Sequence, residues 1–346
     1  MIFINNISKE VEPLEKRLNK EKWQNMIQQF ATSPFWVLVQ KEIRDHVKSV
    51  RFNILLVIIL LTCVGSLYAA LSSVKELANQ IDTSEQLMIY LRMFAISGEG
   101  GTLPSFITFM TLLGPLLGIA MGFDAINSEK NNRTILRIMS QPIPRDYLIL
   151  SKFVGGLFVI AYFVFILGML IFSLSLLIIG LPPTFEEFTR IIVYLFMIIL
   201  YVGFWLALSI TLSILFKQAA TSALSGIAVW LFFSVFYSIL VNLLVTTSMP
   251  DDLLATDQMA QHERMAMLLR LSPNYLFSEI TTVLLNPSYR TLGPVTFDQI
   301  SGTIPSILDL SQSLTIIWPQ VVGMLALCFV CFLISYTIFM RQEIRS

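Results

Sequence analysis

Charge is scarce in this chain, and the places where it is missing carry most of the information. Asp, Glu, Lys and Arg make up 13% of the 346 residues against 55% hydrophobic, whereas charged residues are about a quarter of a soluble domain. An ordinary water-soluble globule is excluded. The formal net charge is zero, while nucleic-acid-binding domains are basic as a whole, so no nucleic-acid partner is expected. All three cysteines, Cys63, Cys328 and Cys331, sit inside apolar runs, so they form no disulfide framework. The Cys328/Cys331 CxxC reads as two small packing residues on a membrane helix, because no histidine lies near to complete a metal set. There is no HExxH, no intramembrane Ser-His pair and no pair of intramembrane aspartates, which removes the usual routes to membrane proteolysis. No GxxxxGK[ST] phosphate loop occurs, so the chain does not hydrolyse ATP by that route. The polar first fifty residues lack the early apolar core of a cleavable signal peptide.

What is present is long apolar runs. Six of them, near 52–74, 103–126, 153–181, 191–216, 219–248 and 316–340, can each cross a bilayer core of about 30 Å, which takes roughly 20 helical residues. Their deep parts hold no Asp, Glu, Lys, Arg or His. Because such a charge costs at least about 2.5–3.5 kcal/mol, proteins keep one there mainly for function. A proton-coupled or sodium-coupled carrier is therefore disfavoured. Asp124, at the inner end of the second run, reads as a solvated interfacial acid.

Seventeen of the 23 lysines and arginines fall on one side of the membrane implied by these runs, which makes that side, with both termini, cytoplasmic. The only two histidines, His46 and His262, then lie on opposite sides and cannot share a metal. The expected fold is all-α: a polytopic membrane protein with six transmembrane helices, an N-terminal amphipathic elbow helix, and external helical segments between spans one and two and spans five and six.

Residues 1–33 read as a cytoplasmic amphipathic segment. In 34–51, Trp36, Val39, Ile43, Val47 and Val50 recur every three or four residues, with Lys41, Arg44, Asp45 and Lys48 on the other side. That pattern gives an elbow helix lying along the inner leaflet; a basic anchor that only holds topology would look the same. The transmembrane domain is 52–340, with a cytoplasmic loop at 127–152 and an external segment at 249–315, and 341–346 form a cytoplasmic tail. Outside, Val74, Leu77, Ile81, Met88, Leu91 and Ala95 predict an amphipathic helix. Helices are also expected over Asp251–Leu271 and Tyr275–Leu285, separated at Ser272-Pro273. Gly114, Gly118 and Gly122 fall at four-residue steps on span two, one face on which another backbone can approach closely, at a subunit boundary or within the same bundle.

Between spans two and three the chain reads GFDAINSEKNNRTILRIMSQPIPRDYLILSKFVGG. Glu129, Lys130, Arg133 and Arg137 crowd one helix face, with Ile126, Ile135, Ile138 and Met139 opposite. Pro142 and Pro144 then break the helix. This loop resembles that of ABC-2 type transporter permease subunits. The matching residues are Glu129-Lys130, Thr134-Ile135-Leu136, Met139-Ser140, Pro142-Ile143, Arg145, Lys152 and Gly155-Gly156. Arg133 and Ser151 stand where the pattern has glycine. KEIRDHVKSVRF resembles the first interfacial segment of the same family, and SPNYLFSEI its external re-entrant hairpin, which could cap the pathway from outside or serve only for packing.

The resemblance implies a permease subunit of an ATP-binding cassette exporter in the cell membrane. It would pair with a second permease chain, identical or a sister, and with separate ATP-binding subunits that hold the ATP and Mg, so that this chain itself binds no cofactor. Glu129, Arg133, Arg137, Arg145 and Asp146 would meet the ATPase, with Trp36, Lys41 and Arg44 on the elbow helix. Phe109, Leu113, Phe232 and Phe236 would line the pathway, and membrane lipids would surround the rest. The alternative is a non-transporting membrane scaffold or regulator whose loop docks a cytoplasmic partner. Co-purification of an ATPase separates the two.

Overall fold

The computed structural model describes residues 33–78, 88, 90, 91, 94, 105–132, 134–140, 143–180, 182–247, 263–286 and 308–342. Every regular element among them is helical. Among the described residues six helical stretches are long and apolar enough to cross a membrane: Val50–Leu67, Phe106–Asn131, Arg145–Leu177, Phe185–Leu215, Ala219–Val245 and Leu310–Arg341. The second is regular only to Gly122, and after a turn its last residues, Asn127–Asn131, form a short helix of the following loop.

The helix ends differ from those of the apolar runs, for a local reason: hydropathy sees only oily residues, whereas capping also carries charged turns into a helix. Span three starts at Arg145, after Pro144, and runs 35 residues to Ile179. At 1.5 Å per residue it is about 52 Å long and outreaches a bilayer core. Its end is set by Gly180, whose φ of 73° and N–H bond to the Leu176 carbonyl make a left-handed cap. Span four starts at Phe185 behind a capping box in which Thr184 and Glu187 satisfy each other's backbone N–H. It thereby takes in Glu186, Glu187 and Arg190. Span one belongs to a helix that continues to Ala78, so Val74 and Leu77 extend it rather than starting a separate external helix. Span five contains a single π-helical turn, Phe232–Phe236, a kind of irregularity that is frequent at functional sites.

Span four is the axis of the bundle. Tyr194, Leu195, Ile198, Tyr201, Val202, Trp205 and Leu206 are all buried, while spans five and six expose most of their apolar surface. The span-two glycine face packs on span four of the same chain. A Cβ at Gly118 would fall 2.8 Å from the Val202 carbonyl oxygen, and one at Gly122 2.8 Å from Ser209 Cβ. Ser209 Oγ donates to the Ile119 carbonyl at 3.0 Å across that seam.

Between spans five and six, the helix Pro273–Leu285 starts with proline in its first turn, where a missing N–H costs nothing, and its Phe277 stacks on Tyr201 with ring centroids 4.3 Å apart. The preceding helix covers 263–269; its expected start at Asp251 lies outside the described residues. Of the segment between spans one and two, Met88, Tyr90, Leu91 and Phe94 are described and buried, and Phe94 packs edge-on against Phe106 and Tyr194. Ile81 and Ala95 lie outside the described residues.

Arg190 is fully buried. Its five N–H groups make five bonds: Nε and Nη2 to Glu186 Oε1 (3.0 and 2.8 Å), Nη1 to the Leu284 carbonyl and Ser313 Oγ (both 3.1 Å), and Nη2 to the Leu308 carbonyl (2.5 Å). One guanidinium thus ties span four to the Pro273–Leu285 helix and to the head of span six. The run boundary at 191 leaves this charge outside the span; the helix takes it in, and the bonds satisfy it.

Candidate functional site

A helix covers Pro34–Lys48, with Pro34 in its first turn and His46 and Lys48 in its last, the arrangement the helix dipole favours at a C-terminus. It lies on the foot of span three. Gly155 lets it come close, since a Cβ there would meet Glu42 Cβ at 2.9 Å, and Phe35 packs edge-on against Tyr147 with ring centroids 5.6 Å apart. Val39, Glu42 and His46 fall three and four residues apart, so the inward face of this elbow helix is partly ionisable.

Those groups converge with the loop between spans two and three. Lys152 Nζ lies 3.1 Å from Glu42 Oε1 and 2.9 Å from Glu129 Oε1, and all three side chains are under 10% exposed. Lys41 Nζ approaches the same two carboxylates at 2.9 Å each, and Asp45 at 3.6 Å. Two cations and two anions, three of them nearly dry and Lys41 half-exposed at the edge, hold the elbow helix, the loop and span three together. Burial alone would raise the Glu42 pKa, but Lys152 and Lys41 beside it outweigh that and hold it below the ordinary carboxylate value. Lys41 shows the reverse balance, its burial being outweighed by Glu42 and Glu129, so its pKa is raised. Burial lowers the His46 pKa, with Glu42 opposing and Lys152 reinforcing.

Two further contacts fix the loop. Its short helices, Asn127–Asn131 and Thr134–Met139, begin where Ser213 Oγ of span four accepts the backbone N–H groups of Ile126 (3.0 Å) and Asn127 (3.3 Å). Lys130 Nζ donates to Gln342 Oε1 at 2.7 Å, and Gln342 Nε2 to the Ile214 carbonyl at 3.2 Å, which fastens the loop to the end of span six. Beside the elbow, Arg51 pairs with Asp124 at 2.6 Å. These groups enclose a half-open cavity of about 480 Å³ whose walls include Glu42, His46, Asp124, Glu129, Arg137 and Lys152.

The loop residues expected at a partner's surface fall in different places. Arg137 and Arg145 are exposed and Asp146 is half-buried. Arg133 lies outside the described residues. Glu129 departs from the surface position expected of it: it is 6% exposed, because two ammonium groups stand 2.9 Å from its carboxylate. On the elbow helix Arg44 is exposed, Lys41 half-buried inside the ion cluster, and Trp36 half-buried beside Phe158. Phe109 and Leu113 are half-buried on span two, and Phe232 and Phe236 stand 41% and 56% exposed on the π turn of span five. His262 lies outside the described residues. Among the described residues, no group of three or more His, Cys, Asp and Glu could hold a metal ion.

The residue that sequence reasoning missed is Glu42. Its signal was available: an acid in phase with Val39 and His46 on the stripe of the elbow helix that should be apolar.

An amphipathic helix and a two-helix loop braced on a six-span bundle are general features, and a match over the chain decides what they belong to. Residues 36–344 match the model of a family described as ABC-2 family transporter protein. The chain belongs to this family. Two relatives of this ABC-2 chain are each described as a probable ABC transporter permease protein NosY. That of Stutzerimonas stutzeri is 28% identical over 265 residues, covering 72% of this chain and 85% of that protein. That of Pseudomonas aeruginosa is 26% identical over 228 residues, covering 63% and 72%. This chain is therefore an ABC transporter permease, a multi-pass membrane protein of a family that works with ATP-binding subunits.

Proposed function

We propose that the permease forms, with a second permease chain, the translocation pathway of an ABC exporter. Separate ATP-binding subunits would drive it through the loop at 127–152, and both termini would face the cytoplasm. The observation that carries the reading is the ion cluster of Lys41, Glu42, Glu129 and Lys152. The buried pairs of Lys152 with Glu42 and Glu129 would transmit displacement, because separating them leaves unpaired charge out of water.

An ATPase moving against the exposed Arg137 and Arg145 would push the short loop helices as one body. The cluster would pass that push to the elbow helix and the foot of span three, and the glycine seam would carry it from span two to span four. Surface ion pairs add only about 0–1 kcal/mol each, so Arg137, Arg145 and Asp146 would set the register of the ATPase more than its affinity. Glu129 would act inside the permease, as the seat of the loop. ATP and Mg belong to the partner subunit. Phe109, Leu113, Phe232 and Phe236 would face the pathway between the two permease chains.

The test is charge reversal at Arg137 and Arg145 together in the complex reconstituted with its ATPase. Transport-coupled ATP turnover should fall about tenfold while insertion is unchanged. Unaltered coupling, failure of any ATPase to co-purify with the wild type, or labelling of an Asn132→Cys variant only from outside would each overturn the reading.

A further inference from the structure

Away from the loop, a groove of about 340 Å³ runs between the Pro273–Leu285 helix and span six. Leu276, Gly323, Ala326, Leu327 and Val330 wall it. Gly323 keeps it open: even a Cβ there would already lie 3.6 Å from Leu276 Cδ1, so a longer side chain would fill the slot. From Gln320 to Val330 span six rises about 15 Å, the depth of a groove that takes an extended chain rather than a compact solute.

One end of the groove is polar. Gln320 is 3% exposed, and its Nε2 donates to Glu279 Oε2 at 3.1 Å. That bond settles the amide orientation, since a carboxylate only accepts. It leaves Gln320 Oε1 as a buried acceptor with no donor, and buried acceptors are nearly always paired. The guanidinium of Arg270 stands at the same end, 36% exposed, joined to Glu279 at 3.1 Å. The end thus holds a half-exposed guanidinium paired with a carboxylate and, beside them, a buried acceptor that has no donor.

We propose that this groove binds one membrane phospholipid whose headgroup carries hydrogen-bond donors, ethanolamine or glycerol, with an acyl chain along Gly323 to Val330. The phosphate lies beside Arg270 and the headgroup donor reaches Gln320 Oε1. A choline headgroup has no N–H or O–H and leaves that oxygen unpaired. The inference goes beyond the transport reading and does not depend on cargo or on the ATPase.

The full-length permease, purified in mild detergent, is equilibrated with nanodiscs of phosphatidylethanolamine, phosphatidylglycerol or phosphatidylcholine, and retained lipid is counted by native mass spectrometry. Wild type should hold one ethanolamine or glycerol lipid per chain, at least tenfold over choline lipid. Gly323→Leu should lose it, and Gln320→Leu should keep a lipid but discriminate less than twofold. Should Gly323→Leu not fold, Ala326→Phe narrows the same slot. Equal retention of choline lipid by the wild type, full retention in both slot-filling variants, or efficient disulfide linkage of two Ala326→Cys chains, which would mean that a second copy covers the groove, overturns the proposal. So does continued tenfold discrimination in Gln320→Leu.

Discussion

Lys152 Nζ lies 2.9 Å from Glu129 Oε1 with both side chains under 10% exposed. The loop between spans two and three is thereby closed on itself by a single buried bond, and Glu42 joins that bond to the elbow helix from 110 residues away.

Removing one partner of a buried pair strands the other charge, at a cost of about 3–5 kcal/mol. Lys152→Met should therefore lower the thermal midpoint of the purified permease strongly. Removing Glu129 as well restores the charge balance around Glu42 and Lys41, so Lys152→Met with Glu129→Gln should be less damaging than Lys152→Met alone. Additive losses in that double-mutant cycle would show that the two groups are not coupled.

The His46 pKa lies below its ordinary value of about 6.5 in the folded chain, so the unfolded chain takes up its proton first as pH falls. Stability then drops as pH is lowered through about 6.5 towards the folded pKa. Glu42, with its pKa held down, keeps its contribution above about 4.3 and is silent in this window. The midpoint should fall from pH 7.5 to 5.5 in the wild type and change much less in His46→Gln. Parallel slopes for the two proteins would rule His46 out as the cause.

Gly118 faces backbone, with a notional Cβ 2.8 Å from the Val202 oxygen and 2.9 Å from the Leu206 nitrogen, whereas Gly65 has nothing within 4 Å. Backbone cannot rotate aside, so Gly118→Ala should destabilise by about 1–3 kcal/mol or more. Gly65→Ala should be neutral or gain up to about 1 kcal/mol of helix propensity. Similar midpoints for the two variants would mean that the seam yields easily.

Arg190 satisfies acceptors on three segments at once. Arg190→Lys keeps the charge but has three donors in place of a five-donor fork, so it should rescue little of the loss seen in Arg190→Met. Limited proteolysis at the end of the bundle that carries the Pro273–Leu285 helix should report both variants as opened. A lysine variant as protease-resistant as the wild type would show that charge alone suffices.

The number of spans, the helical class and the position of the charged loop were legible in the sequence, because hydropathy and local charge are properties of neighbouring residues. The break at Pro144 before span three and the tight glycine face were legible for the same reason, proline lacking an N–H and glycine a side chain, while Pro142 lies outside the described residues. The tertiary structure alone decided that Glu129 faces inward, that Glu42 and Lys41 meet it, that Arg190 is buried within a span, and that the glycine face meets span four. Each of those depends on groups 88 to 110 residues apart being brought within 3.1 Å, and the burial of a charge is fixed by the partner that arrives, which no local pattern records.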